Sequence, residues 1–336
     1  MKQAFILFLI IFSGYSCKTK DCVCAKLYSF DNRISYSNPI CHPNQEIIGF
    51  NHIPLETINY YYYDKDCNCP PDIYFNFKED SIGFWIAKSN GSNIRRILPY
   101  QLGNPTWRPD GKQIAYTDMG VIKLMPFDGE KFDTTAINTI QFKDQALNIE
   151  WNTNGSKLVF QNKGSNDSLK TGIWQYNFDT QKAEFIYPNG KFPSWMPGSD
   201  EVVFIVSSAK YDSILSVNTT SGIKKLITLQ NRISTVNRYN IKSSPDGLTI
   251  GFISYNNSDY SEQLYTMNAD GSNLNKLLSN YCYDFNWTPD CKIMYVNSET
   301  DWIDKIKSTL WIMDKNGGNK QQLTYNYPEI IKHYVK

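Results

Sequence analysis

Apolar and polar residues alternate in short runs along most of the chain, and each run ends in Pro, Gly, Asn or Asp. A period of two is that of strands with one face buried. In "WRPDGKQIAY" (107–116) a strand end, a tight turn and a second strand follow one another. Pro109 presets φ for the turn, Asp110 can hold the turn amides, and Gly111 tolerates positive φ. The same grammar recurs in "CHPNQEIIGF" (41–50), "WNTNGSKLVF" (151–160), "WMPGSDEVVF" (195–204), "SSPDGLTIGF" (243–252) and "WTPDCKIMYV" (287–296). The turn position falls at Pro43, Pro109, Thr153, Pro197, Pro245 and Pro289, in steps of 66, 44, 44, 48 and 44 residues. A period in the forties marks a repeat architecture.

A second motif is interleaved with the first. "GFWIAKSNGSN" (83–93), "VIKLMPFDGEK" (121–131), "GIWQYNFDTQK" (172–182), "SILSVNTTSGI" (213–223), "QLYTMNADGSN" (263–273) and "TLWIMDKNGGN" (309–319) each close an apolar strand in an Asn/Asp/Gly turn. Each period therefore holds four strands, a to d, with hairpins between a and b and between c and d. Six such units predict an all-β fold, a six-bladed β-propeller of four-stranded blades over 36–325, with a short tail at 326–336. Trp107, Trp151, Trp195 and Trp287 end their strands a, where large rings would pack between blades.

Composition adds a compartment. Aromatic residues make up 15% and charged residues 20% of the 336, which suits stacked sheets and excludes disorder. A net charge of +1 with no basic stripe gives no reason to expect nucleic acid. Lys2 precedes "AFILFLIIF", an apolar run too short to span a bilayer and suited to a signal peptide over 1–16. "SGYSC" then places Cys17 as a lipidated first residue, with 17–35 as linker, although Gly14 stands where Leu or Val is commoner. A plain secreted protein is the alternative. Both readings place the chain outside the cytoplasm. Of its eight cysteines, lipidation of Cys17 leaves seven, an odd number, as disulfide candidates. "CVC" (22–24) and "CNC" (67–69) lack the usual zinc spacing, so no metal and no cofactor is expected.

The "W-x-P-D-G-x-x-I-x-F" and "M-N-A-D-G-S-N" patterns, strongest at 107–116 and 264–273, resemble the TolB-like propellers. The resemblance covers 36–325 and implies a binding or scaffolding propeller at the bacterial cell envelope. It implies nothing finer, since the matching residues are those that build blades. TolB itself carries an α/β domain ahead of its propeller, whereas about twenty residues stand between the cleavage site and blade 1 here, so TolB proper is not expected.

Chemistry is sparse. "NADGSN" (268–273) lacks the glycine and glutamate spacing of a calcium loop and reads as a turn. No G-x-S-x-G occurs, and His42, His52 and His333 are placed too far apart to cluster. Glu299, Asp301 and Asp304 leave open a paired-carboxylate enzyme. The face carrying the b-c and d-a loops holds most of the loop length and aromatic content. Partner contacts are therefore expected at Tyr60, Tyr61, Tyr62, Tyr63, Arg232, Arg238, Tyr239, Tyr260 and Trp302. Two functions follow: a non-catalytic envelope lipoprotein, anchored to a membrane, that binds a protein or glycan; or a polysaccharide-active hydrolase or lyase with its site in the channel mouth. Every blade already has four strands, so none is left to staple blade 1 to blade 6. Cys41 and Cys291 both fall at that seam on the turn face, and a Cys41–Cys291 bridge is expected to close it.

Overall fold

A computed structural model describes residues 36–61, 72–77, 79–164, 169–208, 211–231, 240–256, 261–278, 281–298 and 308–324. Six antiparallel sheets of four strands each follow one another along the chain. Blade 1 is built from Tyr36–Cys41, Ile47–His52, Gly83–Lys88 and Arg95–Leu98, and blade 2 from Gly103–Trp107, Gln113–Asp118, Val121–Pro126 and Asn138–Ile140. Blade 3 uses Ala146–Trp151, Lys157–Asn162, Gly172–Asn177 and Lys182–Pro188, and blade 4 Gly190–Trp195, Glu201–Ser207, Tyr211–Asn218 and Lys224–Asn231. Blade 5 comprises Ile241–Ser243, Thr249–Asn256, Ser261–Asn268 and Asn275–Lys276, and blade 6 Tyr281–Trp287, Ile293–Ser298, Thr309–Met313 and Gln321–Gln322. Among the described residues the one helical turn is a 3₁₀ segment, Glu79–Ser81. The expected six-bladed propeller is what the chain forms.

The first strand of each blade lines a central channel. Each strand a starts on the loop face and ends at the Pro/Gly turn face. The hydrophobic core is divided into six layers, one between each pair of neighbouring blades. Trp107, Trp151, Trp195 and Trp287 are 3–7% exposed and fill four of these layers, as their spacing suggested. The Trp195 indole N–H donates to Glu150 O of the preceding blade at 3.2 Å, and that of Trp287 to Lys242 O at 3.0 Å. Each of these rings locks a blade to the one before it as well as filling the gap between them.

No strand is exchanged between blades 1 and 6. Their layer is apolar, with Phe50 and Val296 fully buried. The expected bridge is not formed there: Cys41, Cys282 and Cys291 are free thiols. The reason lies in the turn geometry. Gly111, Gly155 and Gly247 occupy the turn position of Cys291 with φ of 72°, 71° and 69°. A Cβ on each would point at the preceding blade: 2.3 Å from the His42 ring, 3.1 Å from Arg108 Nε and 3.6 Å from Pro197 O. Cys291, at φ 62°, follows the same rule and faces Asp246 of blade 5, away from Cys41. Burial pushes the Cys41 thiol up to about 12, with Asp290 adding to the effect.

A channel lined by one ring of amides

Five positions before each turn proline or its equivalent stand Asn38, Asn104, Asn148, Phe192, Asn240 and Asp284, one per blade. The first five have φ of 50°, 44°, 51°, 52° and 57°. Asparagine tolerates this left-handed region; phenylalanine does so at a cost of about 1–2 kcal/mol. In blades 1, 2, 3, 4 and 6 the pairing of strand a shifts register here, so the strand is bulged. A bulge leaves a backbone N–H without its ladder partner, and the freed group is used sideways. Asn38 N donates to Asp284 Oδ2 at 2.7 Å, Asn148 N to Asn104 Oδ1 at 3.1 Å, and Phe192 N to Gln161 Oε1 at 3.3 Å. Each contact joins a blade to the one before it.

Asp284 is the charged member of this ring. Its carboxylate also accepts from Asn240 Nδ2 at 2.6 Å and Phe285 N at 2.9 Å. Burial nevertheless pushes its pKa up to about 6, against the opposing pull of those donors and of Lys242. It thus joins blades 5, 6 and 1, and adds a charged hydrogen bond to the apolar packing of the 6/1 seam.

One tier nearer the turn face lies a second carboxylate. Glu150 Oε1 accepts from Ser194 Oγ and Trp195 N, both at 2.9 Å, and Oε2 from Lys242 Nζ at 2.6 Å. Ser194 Oγ in turn accepts from Ser243 N at 3.0 Å. Glu150 therefore links blades 3, 4 and 5, with Lys242 reaching past blade 4. Both side chains are about one-fifth exposed. The pair divides the channel. A chamber of about 210 Å³ lies on the loop-face side, walled by the amide ring, Tyr283 and Asn286. A funnel of about 340 Å³ lies on the turn-face side, walled by Trp107, Trp151, Trp195 and Trp287 and rimmed by the turn prolines.

In the upper chamber the Nδ2 groups of Asn38 and Asn286 have no protein acceptor among the described residues, whereas Glu150 is fully engaged. Amide donors in a polar chamber suit a ligand rich in carbonyl or hydroxyl oxygens. Elsewhere on the loop face, in the turn between the second and third strands of blade 2, Met119 is 95% exposed at φ 49° beside Gly120. A hairpin of this kind favours Asn or Gly there, and a strained, wholly exposed Met is the type of departure that function retains. The amide ring and Met119 both escaped the sequence reading. The ring was visible as an Asn or Asp at a fixed distance from five of the six turns, and Met119 as the wrong residue for "DMGV".

The expected contact residues are only partly placed. Tyr60 and Tyr61 stand in an added strand, Leu55–Tyr61, opposite Ile73 and Asp72 of Asp72–Phe77, within the blade 1 insertion. Their side chains lie outside the described residues, as do Tyr62, Tyr63, Arg232, Arg238, Tyr239, Tyr260, Trp302 and Cys17. The same holds for Cys22, Cys24, Cys67, Cys69, Glu299, Asp301 and Asp304. "NADGSN" is the turn it was read as: Asp270 Oδ1 accepts from Ser272 N at 2.9 Å, and Asn268 N donates to Ser272 O at 2.8 Å, closing the hairpin. Among the described residues no three His, Cys, Asp or Glu side chains gather as a metal site would require.

Six four-stranded blades around a chambered channel define a β-propeller of the kind that presents loops at both mouths. No family model matches the chain, and no curated protein matches it. Among solved structures it is similar to a putative TolB from Agrobacterium tumefaciens, with a TM-score of 0.57 and 18% identity over 69% of this chain and 84% of that one. TolB from Acinetobacter baumannii gives 0.57 and 17% over 72% of this chain and 59% of that one. A chain of a nidogen/laminin complex gives 0.50 and 10% over 63% and 79%. The fold is that of the TolB-like propellers, and at these identities the likeness is one of fold.

Proposed function

We propose that this chain is a non-catalytic binding module of the bacterial cell envelope, held to a membrane by lipid on Cys17, which receives a protein or glycan partner on its loop face. The observation that carries this reading is the amide-lined chamber on that side of the channel, where the Asn38 and Asn286 Nδ2 donors have no acceptor among the described residues. The exposed Met119 supports it, and the Tyr, Trp and Arg residues of the insertions would extend the same surface. The TolB-like fold is consistent with an envelope setting. The test is cross-linking in intact envelopes, comparing the native protein with Met119→Asp and with the Asn38→Ala/Asn286→Ala pair. The reading expects a defined adduct that both variants lose; an adduct retained by both would overturn it.

One observation favours a second reading, a polysaccharide-active hydrolase or lyase. Glu150 and Asp284 line the same channel from opposite blades, and Asp284 is pushed up to about 6 by burial, as a general acid would be. Release of reducing ends or unsaturated products from bacterial polysaccharides, abolished by Glu150→Gln, would establish that reading in place of the first.

A further inference from the structure

We infer that the amide-lined chamber is a binding site for one ring of a neutral sugar. This rests on the reading of the chamber as the partner site, and it makes that partner a glycan rather than a protein. The chamber measures about 210 Å³. Pockets for drug-sized molecules begin at about 300 Å³, so a single ring is the size that fits.

The polarity of the chamber wall is fixed by its neighbours. An amide shows which end is oxygen through the partners it keeps. Leu102 N donates to Asn51 Oδ1 and Asn51 Nδ2 donates to Leu102 O, both at 2.8 Å. Asn51 can therefore only donate to Asn38 Oδ1, at 3.0 Å, which leaves Asn38 Nδ2 as a donor on the wall. Asn286 Oδ1 accepts from Trp287 N at 2.9 Å, which leaves its Nδ2 in the same way. Asn240 is pinned in the opposite sense. Its Nδ2 donates to Asp284 Oδ1 at 2.6 Å and Phe285 O at 3.0 Å, so its Oδ1 is an acceptor with no donor among the described residues. The chamber thus offers two donors and an acceptor. A hydroxyl both donates and accepts, whereas a carboxylate only accepts and an ammonium only donates. The charges on the wall are already matched: Lys242 by Glu150, and Asp284 by Asn38 N, Asn240 Nδ2 and Phe285 N. A neutral, hydroxyl-rich ligand is what these groups select.

Phe192 turns that class into a sugar. One face of a pyranose ring presents C–H bonds, weakly positive, which pack against the negative face of an aromatic ring. Phe192 lines the chamber from blade 4, with part of its ring against the 4/5 layer. It stands where four other blades have Asn, at φ 52°. The bond from its backbone N–H to Gln161 asks for no particular side chain. An aromatic kept at a left-handed position that Asn would fill without strain is a departure of the kind function retains.

The test is ligand-observed NMR on the full chain with glucose, galactose, mannose and N-acetylglucosamine, and with galacturonate and glucosamine as charged counterparts. At least one neutral sugar should saturate a single site, and its charged counterpart should bind more weakly. Phe192→Asn installs the residue of the other blades and should weaken that binding about tenfold or more, with no fall in the unfolding temperature. Asn38→Gly keeps the positive φ and the backbone N–H on Asp284, and should weaken it to a similar extent. Saturable binding by none of the four neutral sugars, or binding that survives both variants, would overturn the inference. An envelope adduct lost with Asn38→Ala/Asn286→Ala while no sugar binds would refute the sugar and leave the partner site standing.

Discussion

Asn stands at four of the six ring positions, and Asp284→Asn extends the pattern while removing the one charge. In the native fold burial moves the Asp284 pKa from 3.8 to about 6, which at about 1.4 kcal/mol per pKa unit amounts to about 3 kcal/mol. The folded pKa lies above the unfolded one, so the folded state keeps its proton longer as pH rises. Stability from this group is therefore present in full below about pH 4 and lost as pH rises through about 6. Asp284→Asn has no such dependence. Its amide must instead turn one N–H toward the Asn38 or Asn240 donor, at about 1 kcal/mol unless Asn240 flips. The expected result at pH 7.5 is a variant more stable than the native protein by about 2 kcal/mol. At pH 4 the native protein should equal or exceed it. Urea denaturation at both pH values, with slopes compared to verify a common unfolded state, reads the difference directly. A variant less stable at both pH values, or a difference that does not change with pH, would refute the reasoning by showing that the three donors outweigh burial. Asp284→Ala at pH 4 leaves the Asn38 N–H without an acceptor and should cost about 1–3 kcal/mol.

Further outcomes follow from the seams and turns. His42 accepts from Asn44 N at Nδ1 and donates from Nε2 to Gly111 O. Burial lowers its pKa from 6.5, so its share of stability is present above pH 6.5 and lost as pH falls from there through the lowered value. Thermal unfolding of His42→Gln should lack that part of the acid decline. Trp195→Ala, 3% exposed in the native fold, should lose about 3–5 kcal/mol in chemical denaturation. Cys291→Gly should gain up to about 1 kcal/mol by relieving positive φ, and non-reducing peptide mapping should find Cys41 and Cys291 unpaired. Cys17→Ala should move the protein from the membrane to the soluble fraction; unchanged fractionation would exclude the anchor.

The blades were legible because hairpins are local: alternation and Pro-Asp-Gly chemistry lie within ten residues of each other in "WRPDGKQIAY". The packing role of Trp195 was legible for the same reason, since its position in the repeat fixes its place in the fold. Glu150 and Lys242 were not, because they stand 92 residues apart and meet only through the rotation from blade to blade. Cys41 and Cys291 misled because sequence places both at one seam, while the direction of a side chain at positive φ is a property of backbone geometry. The amide ring was hidden by its context: a polar residue in the middle of an apolar strand breaks the alternation that identifies strands.

Each blade is one uninterrupted stretch of chain, and every sideways hydrogen bond from a bulge runs to the blade before it. The ring therefore has no privileged starting point. A gene re-cut at any of the strand d to strand a crossings, with a linker joining 324 to 36, would encode the same set of contacts. Such a linker must carry the chain from the outer edge of one blade to the inner strand of the next, up to three strand spacings of about 4.8 Å, or about 14 Å. Circular permutants opened at Leu98–Gly103 or at Pro188–Gly190 should then fold to one structure, and blades become units that duplication can add without re-pairing any strand.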